Sequence, residues 1–169
     1  MRSSPRRVGW LAALALLPGL ACGAPEAADS EVVWVAIGGE TFQLELALDA
    51  ATRHRGLSGR DSIPRNGGML FAMARTEAFA MVMRDCSVPI DVAFLDSEGR
   101  VIAIHEMQPE PARRRDESPV EYERRLRAYP SGGPARFAIE TAGGRLRQVG
   151  LAVGQRLPLD TVGLAQRAR

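Results

Sequence analysis

Cys86, flanked by Asp85 and Ser87, is the thiol best placed to do chemistry in this 169-residue chain. As a nucleophile it would need a base and an orienting acid, and His105 with Asp91 or Asp85 could supply them. No local signature ties these residues together, and a lone Cys at the edge of an apolar strand serves equally as a small buried hydrophobe. The two histidines, His54 and His105, are far apart in sequence and show no metal-ligand spacing, so no metal site is assigned. His105 lies on an apolar strand face and reads as a hydrogen-bonded core residue. A second set is Arg60, Arg84, Asp85, Asp91 and Glu140, charges embedded in hydrophobic stretches. Burying one of these alone costs several kcal/mol, so they either form internal Arg–carboxylate bridges or line a pocket. Arg60, Arg84, Asp91 and Glu140 are the candidate binding residues. Cys86, His105 and Asp85 are the weaker catalytic candidates.

The elements that must position these residues are short. Val32–Ile37 and Phe42–Leu48 flank Gly38-Gly39 and predict a hairpin. Asp49 caps a helix over 50–55 that Gly56 would end. Further strands are expected at 69–73, 79–83, 90–95, 100–107, 137–141 and 156–159, with a short helix over 142–149. Residues 109–134 break the pattern: they are rich in Pro and charge, and Ser118-Pro119-Val120-Glu121 is a capping box. Tyr122, Leu126 and Tyr129 then recur on one helical face, and Glu121–Arg125 and Glu123–Arg127 have the spacing of i,i+4 ion pairs. The fold class predicted is mainly β: one compact sandwich or barrel-like domain over 32–160 with two or three short helices, then a tail over 161–169.

The N-terminus reads as an address. Arg2, Arg6 and Arg7 precede an apolar run from Val8 to Leu17, too short for the roughly 20 residues of a membrane span. Residues 1–21 are expected to be a signal peptide. Gly19-Leu20-Ala21-Cys22 resembles a lipobox, which would put lipid on Cys22 and anchor the protein in a bacterial envelope facing the periplasm. Ala21-Cys22-Gly23 also suits an ordinary signal peptidase, which would release a soluble protein. Residues 22–31 are small, polar and acidic, as a flexible tether would be.

Removing residues 1–21 takes away three of the 22 Arg and none of the 20 acids, leaving a net charge of −1. That charge gives no electrostatic footprint for nucleic acid. With lipid on Cys22, Cys86 has no intramolecular disulfide partner. The chain has no Walker loop, no strand-linked GxGxxG and no HExxH, so no cofactor is implied.

Several of these stretches, in order, resemble the family catalogued as domain of unknown function 192, also uncharacterised protein family 0127. Phe42-Gln43-Leu44-Glu45-Leu46-Ala47 is similar to its first strand, and Gly56-Leu57-Ser58-Gly59-Arg60 to its G-L-M-x-R. Gly68-Met69-Leu70-Phe71 matches G-M-L-F, and Val82 to Asp91 is similar to the signature W-M-K-N-T-x-x-P-L-D. Phe137 to Gly144 follows Y-V-L-E-x-x-A-G, and Gly150 to Gly154 follows G-x-x-x-G. The signature Trp, Lys, Asn and Thr are here Val82, Arg84, Asp85 and Cys86, so the thiol is no part of the shared pattern. The resemblance implies a compact β domain, often exported, without an established activity.

The leading functional reading is a non-catalytic envelope protein that binds a small molecule or another envelope protein, with the membrane reached through Cys22. A small hydrolase or transferase using Asp85 with Asp91, or Cys86 with His105, is the alternative. A purely structural accessory domain is the third.

Overall fold

The structure, a computed structural model, describes residues 31–169, so the signal and lipidation expectations lie outside the described residues, as does nearly all of the tether. Strands β1 (Val32–Ile37) and β2 (Glu40–Ala47) form the expected hairpin, closed by Gly38 and Gly39 at φ +57° and +82°. Two residues of positive φ match the right-handed twist of the flanking strands. A Cβ at Gly38 would also sit 1.8 Å from the Val149 carbonyl oxygen, so a side chain has no room there. Asp49 caps α1 (Ala50–Arg55) by accepting from Thr52 N at 2.9 Å, and Gly56 at φ +51° ends it.

The chain continues through β3 (Gly67–Glu77), β4 (Ala80–Met81), β5 (Ile90–Leu95), β6 (Val101–Met107) and α2 (Pro119–Arg125). It ends through β7 (Tyr129–Pro130), β8 (Ala135–Ala142), α3 (Arg145–Gln148) and α4 (Thr161–Arg167). Six strands make one mixed sheet in the order β1-β2-β3-β8-β5-β6, and β4 pairs with β7. Only β2 and β3 run parallel, and the crossover that such a pair requires is the segment carrying α1.

Period-two alternation splits the core into two layers. Leu70, Ala93, Leu95, Phe137 and Ile139 face one side, with Leu146 of α3 and Leu164 of α4. Met69, Phe71, Val92, Phe94 and Ala138 face the other, with Leu57, Met83 and Tyr129. The three middle strands are therefore buried on both faces and read as continuous apolar runs. Trp34, on edge strand β1, is 62% exposed.

The domain is mainly β and compact, as expected, but its main sheet is open and not a closed barrel. Five expectations need correction. Strand 79–83 shrinks to Ala80–Met81, paired with Pro130 and Tyr129, and one further backbone bond, Ser131 N to the Phe79 carbonyl at 2.8 Å, extends the contact. Residues 156–159 contribute one bridge, Arg156 to Arg100, and no strand. The tail over 161–169 is largely a helix: Asp160 caps it by accepting from Gly163 N at 2.9 Å, and Leu164 enters the core. The i,i+4 pairs on α2 do not form, because each acid has another use. Glu121 completes the capping box, accepting from Ser118 N at 2.8 Å. Arg125 Nε donates to buried Glu117 at 2.6 Å, and Glu123 pairs with Arg84. Tyr122, Leu126 and Tyr129 are all buried but share no helix face: α2 ends at Arg125, Leu126 is its extended C-cap, and Tyr129 enters the core from β7.

Candidate functional site

Sheet parity decides which candidate charges can meet. Glu140 on β8 is in register with Met69 of β3 and Val92 of β5, so it points to the Phe71–Met83 side. Asp91 is one residue away from Val92 and points through the opposite face. There its carboxylate accepts from Gly144 N and Leu146 N, both at 2.8 Å. Burial pushes its pKa up while these two bonds pull it down, and burial wins. Asp91 therefore orients the turn into α3 and does not join the other candidates.

Arg60 is also spoken for. Its guanidinium makes a two-pronged contact with Glu45, Nη1–Oε1 at 2.6 Å and Nη2–Oε2 at 2.7 Å. Arg84 forks onto Glu123 of α2, with Nη2–Oε2 at 2.9 Å, and its Nη1 donates to the His54 carbonyl at 2.9 Å. It thus ties the inserted helix to the end of α1. Asp85 beside it has φ +50°, a left-handed conformation that Asp and Asn tolerate best among residues with a side chain. The Asn of the signature and the Asp here therefore share the backbone preference that this position requires. Tyr122 holds the turn from α2: its hydroxyl accepts from Asp85 N at 2.9 Å and donates to Asp85 Oδ1 at 3.1 Å.

What remains is a cavity of about 150 Å3 that opens to solvent. Glu140 lies in it, and Phe71, Leu57, Met81 and Val82 supply apolar wall. Arg53, His54 and Arg55 of α1, with Arg84 and Cys86, complete the lining. Glu140 is 5% exposed and accepts no hydrogen bond and forms no ion pair among the described residues. Burial alone pushes its carboxyl up to about 8, so it is mostly protonated at neutral pH. A close approach fixes it in place: a Cβ on Gly68 would sit 2.0 Å from the Glu140 carbonyl oxygen, which β3 and β8 avoid by using glycine there. Arg53 donates to three backbone oxygens, Leu48 at 2.8 Å, Ala72 at 3.0 Å and Arg169 at 2.6 Å, and, after the hydrogen bonds from Thr52, its charge helps hold the Asp49 carboxyl below its ordinary value.

The catalytic candidates are not assembled. Cys86 Sγ donates to the Arg84 carbonyl at 3.3 Å. Burial, then the field of Glu140, pushes its thiol up to about 11, the opposite of nucleophile activation. His105 Nε2 lies 2.8 Å from the Pro130 carbonyl; since a carbonyl only accepts, that nitrogen carries the proton. The ring is flanked edge-on by Phe94 and Tyr129. Among the described residues, no group of three His, Cys, Asp or Glu could hold a metal ion. The residues that sequence reasoning missed are Ser58, whose hydroxyl donates to the Arg84 carbonyl at 2.7 Å, and the clamps Glu123, Tyr122 and Glu45. Ser58 lies within the Gly56–Arg60 motif, but nothing in spacing marks a side-chain-to-backbone bond across 26 positions.

The site is thus a buried acid, Glu140, on an open mixed sheet, facing a cavity lined by the crossover helix α1. The chain belongs to the DUF192 family, described as "Uncharacterized ACR", whose model matches residues 33–159. None of the functionally curated proteins matches it. A crystal structure of a candidate transcription regulator from Sinorhizobium meliloti 1021 is similar at 26% identity and a TM-score of 0.61. It covers 76% of this chain and 92% of that one. A protein of unknown function from Novosphingobium aromaticivorans DSM 12444 shares the fold at 22% identity and a TM-score of 0.65. That match covers 82% of this chain and 94% of the other.

Proposed function

We propose that this protein is an exported, lipid-anchored envelope domain that binds a small ligand, without turnover, in the cavity over Glu140. The observation that carries the reading is Glu140 itself. A carboxyl group buried without a partner lowers stability, and proteins keep such groups where a bound molecule completes them. The high thiol pKa of Cys86 and the engagement of His105 with Pro130 weigh against the hydrolase or transferase alternative. The regulator description belongs to the Sinorhizobium protein. Here Arg60, Arg84, Arg125 and Arg145 are each spent on a carboxylate, which does not favour a phosphate-reading face. Export and anchoring rest on the basic and apolar leader and the lipobox-like Gly19–Cys22.

Thermal melts of the full chain against a library of small metabolites test the site. A ligand at about a hundredfold above its Kd should raise the wild-type Tm by roughly 5–10 °C. Glu140→Gln should abolish that rise. An equal response from both proteins would move the binding site elsewhere. For the anchor, Cys22→Ala should shift the protein from the membrane to the soluble fraction. An unchanged distribution would remove the lipid from the proposal.

A further inference from the structure

The cavity has opposite character at its two ends, and this points to a class of ligand. Inside lies an acid with no partner. At the mouth, α1 presents Arg53, His54 and Arg55. Arg53 donates to backbone oxygens of Leu48, Ala72 and Arg169 and lies in the field of Asp49, whereas Arg55 forms no ion pair among the described residues. Arg84 is already balanced by Glu123, and the Cys86 thiol and Ser58 hydroxyl spend their hydrogens on the Arg84 carbonyl. Among the described residues nothing pairs with Glu140, and of the arginines at the mouth Arg55 is the one left without an anion. Phe71, Met81 and Val82 give the wall an apolar part, and the volume of about 150 Å3 is comparable to a cavity that takes up benzene, a molecule of six heavy atoms.

We infer that the cavity binds a small zwitterion of the amino-acid type, its ammonium inward on Glu140 and its carboxylate outward at Arg55. This rests on the cavity being a ligand site and adds the ligand's chemistry. A bare anion would leave Glu140 without a cation, and a bare amine would have to pass the Arg mouth with nothing to offer it. A short hydrocarbon portion fills the space beside Phe71 and Met81.

The proton balance makes the inference testable. The free protein holds the proton on the Glu140 carboxyl. On binding, that proton leaves to solvent and a carboxylate–ammonium pair forms, with no covalent bond made or broken. The groups facing Glu140 are Arg53, His54 and Arg55 from α1, and Arg84 and Cys86 from the loop after β4; the facing residues of β3 and β5, Met69 and Val92, are apolar.

Calorimetric titration of the full chain at pH 7, in two buffers of different ionisation enthalpy, counts that proton. The probes are glycine, L-alanine, L-valine, β-alanine and γ-aminobutyrate, with isobutylamine and isobutyrate as the separated halves. At least one zwitterion should bind tenfold or more tightly than either half and release close to one proton. Glu140→Gln should abolish the release and weaken binding at least tenfold. Arg55→Gln, an exposed change that leaves the core intact, should weaken binding severalfold with the release unchanged. His54→Gln should keep the release, which excludes that ring as its source. If isobutyrate binds as tightly as any zwitterion with no proton released, the cavity takes anions and the zwitterion is wrong. If none of the probes binds while the metabolite screen finds a Glu140-dependent ligand, this inference fails and the binding function stands. If neither finds a ligand, both fall.

Discussion

Glu140 makes stability depend on pH in a direction unusual for an acid. An unfolded Glu loses its proton near its ordinary value of 4.5, whereas the buried one holds it up to about 8. Between those values the folded state binds more protons than the unfolded state, so stability falls as pH rises, by up to about 1.4 kcal/mol per pH unit, and levels off above pH 8. Glu140→Gln removes that slope. Its Tm advantage over wild type should therefore widen steadily from pH 5 to pH 8, and parallel pH profiles would show that Glu140 is not the titrating group. The sequence made this residue visible, since a Glu within Phe137–Thr141 must fall among buried neighbours. It did not reveal that Asp91 points the other way. Parity along one strand is readable, but the relative phase of β5 and β8 is set by their register, Val92 against Glu140. The charge partners Glu45 and Glu123 were equally hidden, because they come from elements whose packing no local pattern specifies.

At the scale of elements, the inserted segment 109–134 is a brace for the signature loop. Its helix was legible from the capping box, a local feature, whereas the Tyr-Leu-Tyr spacing overran it, since Tyr129 belongs to β7. Its contacts were not, because they are long-range: Arg84 to Glu123 and Asp85 to Tyr122. Tyr122→Phe keeps the buried ring and deletes both hydroxyl bonds, which should cost about 1–2 kcal/mol. Ser118→Ala should cost about 1 kcal/mol through the lost cap. Denaturant melts measure both. The two substitutions act at opposite ends of one rigid link, so amide exchange at residues 83–87 should speed up in Tyr122→Phe and in Ser118→Ala alike. Exchange unchanged in both variants would mean that α2 merely covers the sheet.

For the molecule as a whole, the mainly β class and most strand positions followed from alternation and turn residues, whereas the topology did not. A parallel β2–β3 neighbour inside an otherwise antiparallel sheet needs a crossover, and the six-residue α1 within segment 48–66 gave only a faint sign of one. The last helix was overlooked because Thr161–Arg167 is short and contains Gly163, a poor helix former. Its role is to close the Leu146 side of the core. Leu164→Ala should cost about 2–4 kcal/mol, as a core truncation that can partly collapse. Ligand binding on the far face should survive at temperatures below the new melting point. Loss of binding in a still-folded Leu164→Ala protein would mean that the two layers are not independent.

The sheet order also sets a clock. Its middle is closed by β3 against β8, pairing Leu70 with Ile139 across about 70 residues of chain. A loop of that size must close before the central contacts form, which places folding in the millisecond-to-second range of β-rich domains and not among fast helical folders. No sub-sheet containing the middle strands can be completed until most of the chain has been synthesised. The nascent chain therefore spends an interval threadable, and the export proposed above would have to begin within it.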